Sequence, residues 1–295
     1  MILWEPAPDA RARTTIGRYL DWLATERGLL FDSYDEVWRW SVDELEDFWS
    51  SVWAFFGVGA PCDAVLPDRS MPGVTWFPGA RLNYASRALA RTGDDLAVIA
   101  HSQGRPPEEL TWDELRAAVA RCRAGLQRAG VTRGERVVAY LPNGPEALIA
   151  FLATASLGAV WASCPPEFGV RSVIDRFGQL DAVVLFAVQG YRYGAKDIDR
   201  RREVAEIRAA LPTVRTFVDV DHDWGALLAE PAELVFDDVA STTRSTCCSR
   251  PEPPACRRRS STATAASSSS TSRPSSCTTT SALAIASSGS ARRAG

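Results

Sequence analysis

The sequence predicts an α/β fold of the doubly wound kind, with a helical, tryptophan-rich segment before it and a disordered tail after it. Three observations predict this. Between residues 96 and 218, short apolar runs alternate with stretches of helical period. The runs at 136–141, 159–163 and 182–188 are almost wholly apolar, and the shorter run at 214–218 carries Val214, Phe217 and Val218. A parallel strand covered on both faces needs that composition. Residues 241–295 contain no Trp, Tyr or Phe, whereas all ten tryptophans come earlier.

Taken in order, residues 14–27 have helical apolar spacing at Ile16, Tyr19, Leu20 and Leu23. Ser41-Val42-Asp43-Glu44 has the pattern of a capping box, and Leu45, Phe48, Trp49, Val52 and Trp53 follow it at helical spacing. Core packing is the expected role of those aromatics. Pro72-Gly73 and Pro78-Gly79 mark turns around residues 74–77. Thr111-Trp112-Asp113-Glu114 is a second capping box, and its helix should run to about Ala129, where Gly130 stops it. Helices are expected over 145–157, 170–179 and 196–211, each set between the apolar strands. A sheet of this kind serves many enzymes and does not by itself give function.

Charge divides the chain as sharply as aromatic content does. Residues 241–295 carry eight arginines and one acid, Glu252, so the net charge of −3 leaves −10 on residues 1–240. An acidic body argues against a nucleic-acid surface. Lys196 is the only lysine. Cys62, Cys122 and Cys164 are far apart and odd in number, as expected of reduced thiols in the cytoplasm and not of a disulfide framework. The start of the chain, Met1-Ile2-Leu3-Trp4, lacks a basic leader followed by an apolar run, and no stretch has the apolar length of a membrane span. The expectation is a cytoplasmic protein with no membrane and no nucleic-acid partner, its oligomeric state unknown.

Specific strings carry the reading further. Residues 34–42 (Tyr-Asp-Glu-Val-Trp-Arg-Trp-Ser-Val) and 76–85 (Trp-Phe-Pro-Gly-Ala-Arg-Leu-Asn-Tyr-Ala) resemble the N-terminal region of acetoacetyl-CoA synthetases. So do Gly134-Glu135-Arg136-Val137, Leu141-Pro142-Asn143, residues 155–159 and 168–179, and Gly190-Tyr191-Arg192-Tyr193. The resemblance implies the N-terminal part of the large domain of an adenylate-forming enzyme, with parallel sheets flanked by helices. It divides the chain into a helical N-terminal region at 1–85, an incomplete AMP-binding domain at 86–240 and a tail at 241–295. The implied reaction joins ATP, acetoacetate and coenzyme A to give acetoacetyl-CoA, AMP and diphosphate. Mg2+ is an implied cofactor, and the substrates are the implied small-molecule partners.

Such enzymes hold the ATP phosphates in a Ser/Thr/Gly-rich loop ending Pro-Lys, where backbone N–H groups and the lysine face the oxyanions. The loop should follow residue 240, and no such string is written there. Loss of one nucleotide near codon 240 accounts for this. Under that shift, residues 250–258 permit Ser-Ser-Gly-Thr-Thr-Gly-Leu-Pro-Lys, the missing loop. The alternative is a genuine low-complexity, basic, disordered tail. On the first reading the written chain is an inactive fragment that also lacks the family's later nucleotide motifs and small C-terminal domain. Ligation of another short acid, or a non-catalytic binding role with a basic tail, are the competing functions.

No catalytic residue is assigned within the written chain. The resemblance implies a basic glycine turn contacting the phosphates of coenzyme A, and Arg192, Gly194 and Lys196 occupy that position, expected at a helix start. The bland alternative is a solvated helix entry. His101 and His222 stand apart from other metal-ligating residues, so no metal site is assigned. Asp219, Asp221 and Asp223 lack the glycine and terminal glutamate of a calcium loop and read as a solvated strand end. Cys164 reads as a small buried side chain.

Overall fold

A computed structural model describes residue 3 and residues 5–71, 73–102, 106–241 and 243. Readings that rest on Met1, Ile2, Trp4, Pro72 and 244–295 lie outside the described residues. The described chain forms two compact units, one reaching to Arg81 and the other spanning Leu82–Val239.

The first unit is helical. After α1 (Ala10–Arg13), Thr14 caps α2 (Thr15–Trp22), its hydroxyl accepting from Gly17 N–H at 3.2 Å. The last turn, Leu23–Arg27, widens to π geometry and stops at Gly28, where φ is +67°. Ile16 is half exposed, although its spacing placed it with the core. Ser41 does not open a helix. It lies inside α3 (Tyr34–Asp43), and its hydroxyl donates to the Trp38 carbonyl at 2.7 Å. The cap in use is Ser33, which accepts from Glu36 N–H at 3.3 Å, while the Glu36 carboxylate accepts from Asp32 N–H. A start there buries Val37, and α4 (Leu45–Phe55) then begins at Glu44 with no side-chain cap. Tyr19, Leu23 and Val52 form the small core, ringed by aromatics such as Trp40, Phe48 and Phe55.

The second unit carries the sheet. It opens with β1 (Arg81–Leu82), which begins in the first unit, and α5 (Tyr84–Ala88), then the antiparallel pair β2 (Leu96–Ala100) and β3 (Glu108–Thr111). Thr111 and Glu114 close the expected capping box, and α6 (Trp112–Arg128) follows. Gly130, at φ +77°, ends it: Gly130 N–H reaches Gln127 and Val131 N–H reaches back to Leu126, a left-handed cap that suits glycine. Then come β4 (Arg136–Tyr140), α7 (Pro145–Ser156), β5 (Val160–Cys164), α8 (Val170–Phe177) and β6 (Val184–Ala187). The chain goes on through β7 (Gly190–Tyr193), β8 (Lys196–Asp199), α9 (Arg201–Ala209), β9 (Thr216–Asp219), α10 (Val220–Leu227) and β10 (Val239–Ala240).

Four strands pair in the order β5-β4-β6-β9, every pair parallel. Their side chains alternate between two cores, as the strand period of two requires. Val137, Ala139, Val184 and Phe186 pack with α6 and α7 on one face; Val138, Tyr140, Leu185 and Ala187 pack with α8 and α9 on the other. The doubly wound expectation therefore holds, with strand ends moved by a residue or two.

The helix expected over 196–211 is shorter. Residues 196–199 form β8 and fold back on β7 as a hairpin, so helix begins only at Arg201. Glycine explains this at two points. Gly194 takes φ +58° at the first position of the two-residue turn, a conformation that favours glycine. A Cβ at Gly190 would sit 2.6 Å from the Ile198 carbonyl oxygen, so its absence lets the two strands close.

Candidate functional site

In an open parallel sheet, ligands bind beyond the carboxyl ends of the strands, where neighbouring strands send their connections opposite ways. Here β4 leads outward to β5, whereas β6 leads the other way to β9, so that switch lies between β4 and β6. A pocket of about 580 Å³ opens there. Its walls come from the segment after β4 (Leu141 to Ala147), the segment after β6 (Val188 to Arg192) and Asp197 of β8. Glu167 after β5, Asp221 in α10 and residues of the β2–β3 pair complete it.

Local chemistry fixes each wall. Gly144 and Pro145 start α7, so the helix N-terminus, the positive end of its dipole, borders the pocket. The buried Tyr140 hydroxyl lies 2.7 Å from the Pro166 carbonyl and 2.9 Å from that of Phe168, holding the segment that carries Glu167. Burial raises the Tyr140 pKa above its ordinary value, so the hydroxyl keeps its proton to donate. Asp221 accepts from Gln189 N–H at 2.9 Å, and Asp219 accepts from the Gln189 side-chain amide at 2.8 Å. The aspartates at 219–223 lie where β9 ends, with Asp221 and Asp223 exposed, and they also open a helix: Asp219 caps α10 through Asp221 N–H and lies 3.0 Å from His222 Nδ1.

Of the three residues singled out in the sequence, Arg192 lines the pocket. Gly194 is the hairpin turn, and its carbonyl accepts from Arg192 Nε at 3.3 Å. Lys196 is exposed on β8 opposite Tyr193 and does not line the pocket. The helix start expected to present them is a hairpin, because the glycine turn pairs 190–193 with 196–199. None of the remaining wall residues was assigned to a site from the sequence. Asn143-Gly144-Pro145 directly after an apolar strand was the available signal, since it marks a turn into a helix at a strand's carboxyl end.

The charge of the lining is mixed. Glu108, Glu146, Glu167, Asp197 and Asp221 outnumber Arg192, with His101 near them. Such walls accept hydrogen bonds from amines and hydroxyls more readily than they hold a phosphate deep inside. Among the described lining residues, the electropositive features are Arg192 and the N-terminus of α7. Among the described residues no group of three or more His, Cys, Asp or Glu could hold a metal ion. Cys122 and Cys164 are buried free thiols whose burial raises their pKa, and Cys62 is an exposed one. No helix of the described chain is long and apolar enough to cross a membrane.

Comparison with known proteins identifies the family. Residues 34–88 match the family model for the acetyl-coenzyme A synthetase N-terminus. The acetoacetyl-coenzyme A synthetase of Rhizobium meliloti (strain 1021) is 38% identical over 216 residues, covering 72% of this chain and 33% of that protein. The acetoacetyl-CoA synthetase of Macaca fascicularis is 34% identical over 227 residues, 75% of this chain and 34% of its own. The chain spans about a third of the length of these relatives. The solved acetoacetyl-CoA synthetase from Streptomyces lividans superposes with a TM-score of 0.78 at 43% identity, over 83% of this chain and 41% of that one. The model of the AMP-binding enzyme family matches residues 85–292, well over half of the sequence, and the chain belongs to that family.

Proposed function

We propose that the protein this chain represents is an acid–thiol ligase that makes acetoacetyl-CoA from acetoacetate, ATP and coenzyme A, working in the cytoplasm as its unpaired thiols suggest. The observation that carries this is the pocket over the β4–β6 switch, with Arg192 on its wall, in a chain resembling acetoacetyl-CoA synthetases over some three quarters of its length. Coenzyme A supplies the thiol nucleophile. Arg192 and the N-terminal turn of α7 would hold its phosphate, and the acceptor-rich walls its nucleoside. Gly194 would serve by shaping the turn that presents Arg192, and Lys196 by adding positive charge on the exposed hairpin.

ATP is a different matter. A Pro-Lys phosphate loop needs its lysine, yet the only lysine of the chain is Lys196, far before residue 240. The described residues therefore do not fit the ATP phosphates, and no adenylation step is assigned to them. We propose that residues 241–295 are written out of frame and that the chain as written binds coenzyme A without turning it over. The family match running to residue 292 crosses that segment and is the observation that stands against this. Resequencing codons 230–300 tests the proposal: one additional nucleotide near codon 240 should restore the loop. The frame-restored enzyme should then form acetoacetyl-CoA, and the 295-residue chain should form none. A confirmed written frame, or acyl-CoA formation by the 295-residue chain, would refute it.

A further inference from the structure

Among the described residues, Tyr191 is the only Phe, Tyr or Trp lining the pocket, and its side chain is tied down from outside it. Arg200 donates through one guanidinium nitrogen to the Tyr191 hydroxyl at 3.4 Å, and its Cζ lies 5.6 Å from the centre of the tyrosine ring. The guanidinium is itself fixed. Its other terminal nitrogen bonds Glu203 at 3.0 Å, and the Arg200 backbone N–H donates to the Gln189 carbonyl at 2.7 Å. Arg200 thus links the start of α9 to both the hairpin and the segment entering it. The hairpin fixes Tyr191 a second time, since Tyr191 stands opposite Ile198 in the ladder.

A ring held at its hydroxyl and along its backbone loses little freedom when a flat ligand stacks on it, which favours binding. The neighbouring walls add to this. Glu167, Asp197 and Asp221 offer acceptors to an exocyclic amine and to ribose hydroxyls. Arg192, the next residue along, offers a cation to a phosphate. A planar base, a sugar and a phosphate are what this sequence of groups suits.

We propose that Tyr191 is the stacking platform for the purine base of the coenzyme, and that Arg200 is the positioning residue that holds it. This rests on the coenzyme A reading above.

The test is calorimetric titration of the 295-residue chain with coenzyme A and with adenosine 3′,5′-bisphosphate, a fragment that keeps the base but lacks the pantetheine arm. Tyr191→Ala should weaken both ligands by the same factor, about tenfold, because the lost contact is with the base. Tyr191→Phe, which keeps the ring but loses the hydroxyl that Arg200 holds, should weaken both ligands no more than Arg200→Gln does and clearly less than Tyr191→Ala. Arg200→Gln should weaken both ligands several-fold, and Arg200→Lys should recover part of the loss. In the double variant the two losses should not add, since both act through one ring. Coenzyme A binding by Tyr191→Ala equal to that of the unaltered chain, or fully additive losses, would overturn the inference. The two readings separate cleanly: failure of the unaltered chain to bind coenzyme A removes both, whereas binding that Arg192→Gln weakens and Tyr191→Ala does not removes only this one.

Discussion

The two compact units reach stability by different routes. The sheet of the second unit buries every residue of β6, and it sends alternate side chains into two separate cores. Among the described residues, the core cluster of the helical unit buries Tyr19, Leu23 and Val52, and it relies on ring-to-ring contacts around them, such as Tyr19–Phe55 at 5.1 Å and Trp40–Phe48 at 5.5 Å between centroids. Its α3 leaves Tyr34, Trp38 and Val42 exposed at four-residue spacing. Continuous burial tolerates no loss of volume, whereas a half-exposed aromatic shell has room to adjust.

The largest effect should therefore come from the sheet. Phe186→Ala, which empties a fully buried position, is expected to lower unfolding free energy by about 3–5 kcal/mol, read from chemical denaturation. Trp38→Ala, more than half exposed, should stay within about 0.5 kcal/mol of the unaltered chain. Equal effects would dissolve the contrast between the units.

That contrast also explains what could be read from sequence. The strands of the sheet were legible because burial on both faces forces apolar runs, and α6 because Thr111 and Glu114 meet through local hydrogen bonds. The helix α3 was missed because two cap patterns compete within residues 33–44, and only tertiary burial of Val37 and Trp40 selects Ser33 over Ser41. The β7–β8 hairpin was missed for a similar reason: it depends on how closely Gly190 approaches Ile198, which helical periodicity does not encode. Arg192, which lines the pocket, was named through resemblance. The pocket itself was not, since Asn143, Glu167, Tyr191 and Asp221 come from separate segments that only the sheet order brings together.

Smaller changes sharpen the comparison. Tyr19→Phe removes the 2.5 Å bond to buried Ser51 and should cost about 1 kcal/mol in a denaturant melt. Ser33→Ala should likewise cost about 1 kcal/mol, while Ser41→Ala should cost clearly less. The reverse order would restore the cap expected from sequence.

The smallest effect concerns pH at the entry to α9. Hydrogen bonds from Arg201 lower the Asp199 pKa from 3.8 to about 2. The folded value lies below the unfolded one, so the stabilisation is complete above the unfolded value and fades as pH falls through the folded one. An NMR titration of the Asp199 carboxyl should show a midpoint near 2, and Arg201→Gln should return it toward 3.8. An unchanged midpoint in Arg201→Gln would contradict the pairing.

The most direct test of the site is the affinity of the 295-residue chain for coenzyme A, compared with that of Arg192→Gln. Saturable binding that weakens about tenfold in the variant is the expected result, a loss of the size a charged hydrogen bond to phosphate supplies. No binding, or equal binding by both chains, would show that the crevice over β4 and β6 is not the coenzyme site.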